Sequence, residues 1–390
     1  SPPPSASPSP PPPSTSPSPP PTPPPSTLHI LLPLYIYPQA VPGPGGTLNC
    51  SSSEWLAVAD AGPGVTTIIN PFSGPVNATT SAEGPAYMAC MRVLRDAGVR
   101  MLGYVPTKES FEESPGFWVQ TDFRDASEVD AMVALWAAEP FGSLLEGIFL
   151  DEASNMWSHN SFNTSDEHVA YYRARFASVR SARPGWTVAA NSGSPPYYSM
   201  LDAATGGADL IVAFEQSATK WDPAWPALGS YPRPKCLDLI RTDARSQGAH
   251  PPGPWCPYCY NWDGVDAVVS AAAGGSSGSA FGALVYAANN GAGAVPAQAA
   301  AAGFSYIYVT DAPFESPWSA LPSYWCDLLS AAGLPLSSSC PPLVSVATSA
   351  AWLASRSAES ASAATAGSLV SYDPPAGTAG SWWRDRAYAY

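Results

Sequence analysis

The stretch Gly147-Ile148-Phe149-Leu150-Asp151-Glu152 is an apolar run closed by two acidic residues, and Leu210-Ile211-Val212-Ala213-Phe214-Glu215 is a second run closed by one. Continuous apolar runs of this length are typical of parallel strands that are buried on both faces. In barrels and open α/β sheets, catalytic side chains lie at the carboxyl ends of such strands. The two runs therefore predict a carboxylate site formed by Asp151, Glu152 and Glu215.

Strand-like runs alternate with helix-compatible stretches from residue 28 onward. Eight strands separated by helices over about 300 residues is the pattern of a (β/α)8 TIM-type barrel, an α/β fold. The predicted strands are His29 to Tyr37, Thr66 to Asn70, Arg100 to Val105, Gly147 to Asp151, Thr187 to Asn191, Leu210 to Glu215, Phe281 to Ala287 and Tyr306 to Thr310.

Two of the intervening helices are visible in the sequence. One spans Tyr87 to Ala97, where apolar residues recur at helical spacing, and Gly98 is predicted to end it. The other spans Ser127 to Ala138.

Composition divides the chain into three parts. Residues 1–27 form a Ser/Pro-rich stalk, since 15 of the first 25 residues are proline and none is charged; such a segment is predicted to be extended polyproline II or an unstructured linker. Residues 28–340 carry the barrel pattern, with an insertion at about 217–280 that is longer than one crossover needs. Residues 341–390 form an Ala/Ser-rich tail that ends in several aromatic residues.

The charge balance limits the partners of the chain. A net charge of −14 over 390 residues, without a cluster of Lys or Arg, disfavours nucleic acid and anionic membranes. No apolar stretch reaches the roughly 20 residues of a membrane span. We therefore expect neither nucleic-acid binding nor a membrane span.

Three N-glycosylation sequons, at Asn49, Asn77 and Asn163, lie in polar, loop-like surroundings. The Ser-Pro repeats of residues 1–27 resemble the hydroxyproline-rich modules of plant and green-algal wall glycoproteins. That resemblance implies secretion, hydroxyproline-linked glycans and self-assembly or contact with other wall glycoproteins. The expected location is the extracellular matrix, cell wall or cell surface.

The cysteines also favour an oxidising compartment, because seven cysteines accompany only four histidines. Cys50 can pair with Cys90, and Cys326 with Cys340, but the sequence does not fix the connectivity. The motif Cys256-Pro257-Tyr258-Cys259 favours a structural bridge over half of a zinc site, because no second close pair accompanies it.

Several motifs together resemble the spherulin-4 family over roughly residues 28–330. The resemblance implies a (β/α)8 glycoside hydrolase related to enzymes that cut α-1,4-linked galactosamine-containing polysaccharide, with active-site carboxylates that match Asp151, Glu152 and Glu215. The motifs are Leu32-Pro33-Leu34-Tyr35-Ile36-Tyr37-Pro38, Ile68-Ile69-Asn70-Pro71-Phe72-Ser73-Gly74-Pro75, Gly103-Tyr104-Val105-Pro106-Thr107, Gly147 to Glu152, Phe214-Glu215, Tyr308-Val309-Thr310-Asp311 and Leu321-Pro322-Ser323-Tyr324-Trp325.

Glycoside cleavage requires such a set of carboxyl groups. One carboxylic acid protonates the departing oxygen, while a second carboxylate attacks the anomeric carbon or activates water. We assign Asp151 as nucleophile or electrostatic stabiliser and Glu215 as general acid, with Glu152 as a competitor for either role. Asp151 and Glu152 are adjacent, so on an extended strand only one of them is expected to aim fully into the cleft.

Sugar binding needs flat apolar surfaces beside hydrogen-bonding groups. The residues predicted to bind substrate at the strand ends are Tyr35, Tyr37, Asn70, Tyr104, Thr107, Asn191 and Asp311. Aromatic residues in rim loops are candidate platforms for the sugar, namely Trp157, Tyr197, Tyr198, Trp221 and Trp225.

No cofactor or metal is expected, because the four histidines show no metal-ligand spacing. His168 follows Asp166 and Glu167 on a predicted helix and is expected to face solvent.

Two functions remain open at this point. One is a secreted polysaccharide hydrolase on a hydroxyproline-rich stalk. The other is a structural wall glycoprotein that assembles into fibres through its polyproline segment, with the barrel as building block or lectin.

Overall fold

The computed structural model describes residues 28–78, 80–114, 117–153, 165–193, 200, 206–221, 279–289, 291–314, 316–336 and 340. The predicted stalk, the tail, most of the predicted insertion, the sequon at Asn163 and the pair Cys256 and Cys259 lie outside these residues. The domain boundaries stay predictions.

Eight parallel strands close into a barrel, which confirms the predicted (β/α)8 fold class and all eight predicted strands. The barrel strands are β1 (His29–Leu34), β4 (Val65–Ile69), β5 (Arg100–Pro106), β8 (Gly147–Asp151), β9 (Thr187–Asn191), β10 (Leu210–Ser217), β11 (Ala280–Tyr286) and β12 (Tyr306–Val309). They follow one another around the barrel in chain order, and β12 pairs in parallel with β1 to close it.

Helices and two hairpins surround the barrel. The helices in the described ranges are α1 (Ser53–Ala61), α2 (Gly84–Asp96), α3 (Ala126–Ala137), α4 (Ser165–Ala182), α5 (Ala218–Trp221), α6 (Val295–Ala302) and α7 (Trp325–Ala331). The hairpins pair β2 (Ala40–Pro42) with β3 (Leu48–Cys50), and β6 (Lys108–Ser114) with β7 (Phe117–Phe123). None of the helices in these ranges is long and apolar enough to cross a membrane.

Helix α2 illustrates how the sequence sets an element. Its apolar residues Met88, Met91 and Leu94 are buried against the barrel. Gly98 has a φ of +78°, and its N–H donates to the carbonyl of Arg95 at 3.0 Å. The predicted helix stop is confirmed, because glycine adopts this left-handed conformation at low cost.

Two disulfides lie in the described part of the chain, and both join cysteines that the sequence allowed to pair. Cys50–Cys90 ties β3 to α2, and Cys326–Cys340 ties α7 to the segment that follows it.

The amino end of the barrel is closed by Arg100, the first residue of β5. Its guanidinium donates to Glu146 Oε2 at 2.9 Å, to the hydroxyl of Tyr306 at 3.1 Å and to Thr187 Oγ1 at 3.1 Å. These partners lie at the starts of other barrel strands or just before one, so Arg100 joins strands that are distant in sequence. The carboxyl end is left for the functional site.

We predict that Gly147→Ala lowers the free energy of unfolding by about 3 kcal/mol. A Cβ at Gly147 would lie 2.1 Å from the Thr187 carbonyl oxygen and 2.9 Å from Leu102 Cδ2. Gly282→Ala is the matched control inside the same barrel, because the nearest atom to its Cβ would be Leu31 Cδ2 at 3.3 Å. Urea unfolding of both variants tests this prediction, and equal losses would contradict it.

Candidate active site

Asp151 is the last residue of β8 and is buried in the mouth of the barrel. The phenol of Tyr104, on β5, donates a hydrogen bond to Asp151 Oδ2 at 2.6 Å. The amide Nδ2 of Asn191, at the end of β9, donates to Asp151 Oδ1 at 2.7 Å. Because each carboxylate oxygen has its own donor, the side chain is fixed in one orientation.

The same amide of Asn191 also holds Glu215. Its Nδ2 donates a second hydrogen bond, to Glu215 Oε2 at 2.5 Å. The amide oxygen accepts from the backbone N–H of Gly193 at 2.9 Å, which turns the NH2 group toward the carboxylates. Since one nitrogen contacts both at 2.7 and 2.5 Å, the two carboxylate oxygens are no farther apart than about 5 Å.

Glu215 reaches the mouth because β10 contains a β-bulge at Ala213. Val212 pairs with Gly282 of β11, whereas Phe214 pairs with the very next residue, Ala283. The extra residue reverses the inward and outward alternation of the strand from that point on. Phe214 therefore packs outward, with its ring centroid 4.9 Å from that of Trp221, and Glu215 faces inward.

Tyr286 is a site residue that the sequence analysis missed. It ends β11, and burial raises the pKa of its phenol, with a further contribution from the charge of Glu215. The hydroxyl therefore stays neutral beside the Glu215 carboxyl group. Its position at the end of a predicted strand was the feature of the sequence that could have identified Tyr286 as a site residue.

Glu152 follows the end of β8 in a different backbone conformation from Asp151. Its φ of +62° lies in the left-handed region, so the extended strand stops directly after Asp151. Burial lowers the pKa of the Lys108 ammonium, and the charge of Glu152 opposes that effect. Glu152 thus faces Lys108, a second residue that the sequence analysis missed.

Thr107 supports the strand end from behind. It is fully buried, and its Oγ1 donates to the backbone oxygen of Asp151 at 2.7 Å. The Thr107 N–H donates to the same oxygen at 3.1 Å, and the hydroxyl of Tyr172 donates to the backbone oxygen of Glu152 at 3.1 Å. These contacts orient the Asp151–Glu152 backbone.

The other predicted substrate-binding residues lie around the same rim. Tyr35 packs edge-on against Tyr104, with ring centroids 5.7 Å apart, and Asn70 is buried at the end of the intervening strand. Tyr37 is exposed beyond the end of β1. Asp311, after β12, accepts hydrogen bonds from the N–H and hydroxyl of Ser323 at 3.1 and 2.5 Å and so holds the last loop.

Two expectations from the sequence are wrong. Trp221 is buried rather than a rim platform, since its indole lies against Phe214 and Phe304 and donates to Gln298 Oε1 at 2.9 Å. His168 is also buried rather than solvent-exposed. The other candidate platforms, Trp157, Tyr197, Tyr198 and Trp225, lie outside the described residues.

His168 is buried because the base of the β6–β7 hairpin covers this part of α4. Its ring packs edge-on against Phe123 at 5.0 Å and Tyr172 at 5.1 Å between centroids. Burial, together with the charge of Lys108, lowers the pKa of the imidazole to about 3.

Within the described ranges, no group of three or more His, Cys, Asp or Glu residues is arranged to hold a metal ion.

The match to a known family agrees with this geometry. A sequence profile described as spherulation-specific family 4 matches residues 29–332. The chain belongs to this family. Spherulin-4 of Physarum polycephalum is 29% identical over 195 residues, which cover 49% of this chain and 46% of that relative. The aligned region thus spans about half the length of the curated relative.

Solved structures also resemble this member of spherulation-specific family 4. Sph3 of Aspergillus clavatus, crystallised in complex with GalNAc, is 19% identical and has a TM-score of 0.48, covering 79% of this chain and 98% of that one. The glycoside hydrolase domain of PelA from Pseudomonas aeruginosa is 14% identical with a TM-score of 0.38, covering 63% and 87%.

We predict that His168 makes the protein less stable as the pH falls below about 6.5. The unfolded chain binds a proton on His168 near pH 6.5, whereas the folded protein binds it only near pH 3. The free energy of unfolding therefore decreases between these values, by up to about 1.4 kcal/mol per pH unit.

Urea unfolding of the wild type and a His168→Phe variant across this pH window provides the measurement. The variant should show a slope that is shallower by about one proton, because the phenyl ring cannot titrate. Parallel curves for the two proteins would rule out this role of His168.

Proposed function

We propose that this protein is an extracellular glycoside hydrolase that cleaves an amino-sugar-containing polysaccharide with Asp151 and Glu215. The observation that carries the proposal is the single Asn191 amide that holds both carboxyl groups, with oxygens within about 5 Å of each other. Separations of about 5–5.5 Å serve retaining glycosidases, whereas inverting enzymes need about 6.5–9.5 Å to admit a water molecule. Because one amide contacts an oxygen of each carboxyl group, the pair is a close one, and we assign it the two-step, retaining reaction.

In the first step, Asp151 attacks the anomeric carbon while Glu215 gives its proton to the glycosidic oxygen. The carbon–oxygen bond to the leaving sugar breaks as the bond to Asp151 forms. In the second step, water attacks the same carbon and loses a proton to Glu215. This step releases Asp151 and restores both groups.

The hydrogen bonds support this division of roles. Both oxygens of Asp151 accept a hydrogen bond from a neutral donor, which suits an ionised nucleophile. Glu215 is less buried than Asp151. A general acid needs this accessibility because it must reach the leaving oxygen. Glu152 faces Lys108 and fits an electrostatic role behind Asp151 better than proton transfer.

The charges at the mouth favour an amino-sugar substrate. Four carboxylates lie at or within two residues of the carboxyl ends of barrel strands at this face, namely Asp151, Glu152, Glu215 and Asp311. Lys108 is buried beside Glu152 and offsets only part of this charge. A cleft with this balance attracts the protonated amines of a partly deacetylated galactosamine polymer.

Two disulfides and two exposed sequons support an extracellular location. Asn49 lies exposed on β3, and Asn77 lies exposed in a turn where its Oδ1 accepts from the Thr80 N–H at 3.0 Å. Disulfides persist in oxidising compartments, where N-glycans are also attached.

We predict that Asp151→Asn and Glu215→Gln each lower kcat by about 1,000-fold or more, since each removes a group that reacts with the substrate. The assay is reducing-end release from partly deacetylated α-1,4-galactosamine polymer by the full chain. Glu128→Gln on α3 is the matched control, because its carboxylate is exposed and lies outside the site.

The same assay separates the hydrolase from the structural wall glycoprotein. Turnover by the wild type and Glu128→Gln, with loss in both site variants, is the expected result. If none of the four proteins releases reducing ends from this polymer or from plant-type wall polysaccharides while all assemble alike, the hydrolase proposal fails.

A further inference from the structure

Asn70 carries a buried hydrogen-bond donor that the described residues do not satisfy. The side chain follows β4 and is 1% exposed. Its Oδ1 accepts from the N–H of Gly74 at 3.2 Å, whereas its Nδ2 has no partner among the residues that the structure describes. Buried polar atoms are rarely left unpaired, so a donor of this kind in a binding face points to a ligand.

The strand register places Asn70 on the inner face of the barrel. Thr66 pairs with Arg100 and Ile68 with Leu102, and side chains of a strand alternate between its faces. A Cβ on Gly147 would meet Leu102, so position 147 faces the same side as Leu102. Phe149 and Asp151 lie two and four residues further along β8 and therefore face the interior as well. Asn70 continues the interior row of β4 to the mouth.

Exposed aromatic rings flank Asn70 on the two adjoining loops. Leu34 and Ile69 pair at the ends of β1 and β4, and the residue three positions beyond each is an exposed aromatic. Tyr37 is 51% exposed and Phe72 is 38% exposed. Among the large apolar side chains that are exposed in the described ranges, these two are the aromatic ones.

A ring contact restrains Tyr37, and a closed turn restrains the backbone at Phe72. The ring of Tyr37 packs edge-on against Tyr87 of α2, with centroids 5.8 Å apart. Phe72 lies within the turn that the hydrogen bond between Gly74 and Asn70 closes. Restrained rings on a barrel rim offer flat apolar surfaces to sugar rings at a small entropic cost.

We propose that Asn70, Tyr37 and Phe72 form a second sugar subsite on the β1–β4 side of the bond that is cleaved. Phe72 and Tyr37 stack on a pyranose ring, and Asn70 Nδ2 donates to a hydroxyl or acetamido oxygen of that sugar. A protonated amine has no lone pair for this donor, so the unit bound here presents an oxygen at that position. The inference rests on the proposed glycosidase function, because it extends the same cleft along the polymer.

The test uses the full chain and oligosaccharides of increasing length from partly deacetylated α-1,4-galactosamine polymer. Asn70→Asp keeps the oxygen that accepts from Gly74 and removes the donor, and Phe72→Ala removes one ring. Each is expected to lower the ratio of kcat/KM for long oligosaccharides to kcat/KM for the shortest cleaved one by about tenfold, as the loss of one hydrogen bond or stacking contact implies.

Matched variants separate the subsite from a general structural effect. Phe72→Trp should restore the ratio, because it keeps a flat ring. Leu135→Ala should leave it unchanged, since it removes a side chain that is 51% exposed on α3 and belongs to neither loop of the subsite. Thermal unfolding checks that every variant is folded, and an unchanged ratio in folded Asn70→Asp and Phe72→Ala overturns the subsite.

Binding of the same oligosaccharides by calorimetry in an Asp151→Asn background distinguishes the two proposals. If Phe72→Ala and Asn70→Asp each lower the affinity about tenfold but the wild type shows no turnover, the subsite is supported and the hydrolase proposal fails. If the wild type turns over substrate and both variants bind as tightly as it does, the subsite proposal fails and the hydrolase proposal stands. If the protein shows neither binding nor turnover, both proposals fail.

Discussion

The amide of Asn191 is the contact on which the rest of the site depends. At about 5 Å, two ionised carboxylates would repel each other by roughly 3 kcal/mol at an effective dielectric constant of 20. The NH2 group of Asn191 donates to both and opposes this repulsion. A proton on Glu215, which the proposed first step requires, removes it. The geometry and the assigned protonation states are therefore consistent with one another.

Backbone contacts around Asn191 make the arrangement rigid. The N–H and hydroxyl of Ser192 both donate to the carbonyl of Val212, at 3.2 and 3.0 Å, and the N–H of Glu215 donates to the carbonyl of Gly193 at 3.1 Å. On the other side, Thr107 donates twice to the backbone oxygen of Asp151. The N–H of Ala153, just after β8, donates to the carbonyl of Asn191 at 2.7 Å, so main-chain hydrogen bonds connect the strand ends that carry the two carboxylates. Catalysis depends on such positioning.

The fold was predictable from the sequence because buried parallel strands appear as short apolar runs separated by helical patterns. Asp151 and Glu215 were predicted as candidate site residues for the same reason, since each lies at the end of such a run. The orientation of Glu215 was not predictable. Strict alternation along β10 would place Leu210, Val212 and Phe214 on one face, and the bulge at Ala213 becomes visible only when β10 is paired with β11.

Other details depend on contacts between distant residues. The left-handed turn at Glu152 and the burial of His168 both involve the region around Lys108 and Phe123, which lies more than 25 residues away from either in the chain. Helical spacing alone indicated an exposed His168, because the hairpin that covers it leaves no trace in the α4 sequence. The disulfides were compatible with the cysteine spacing, but only the fold selects the pairs.

In the proposed reaction, Asp151 forms a bond to the sugar while Asn191 holds Asp151 beside Glu215. The most direct measurement is mass spectrometry of the protein after incubation with a fluorinated glycosyl fluoride of the galactosamine series, which slows the second step and traps the intermediate. We expect the added mass of one sugar on Asp151 in the peptide that contains it, and no added mass in Asp151→Asn. A sugar attached to Glu152 or Glu215 instead, or no adduct in an enzyme that inverts the anomeric centre of its product, would contradict it.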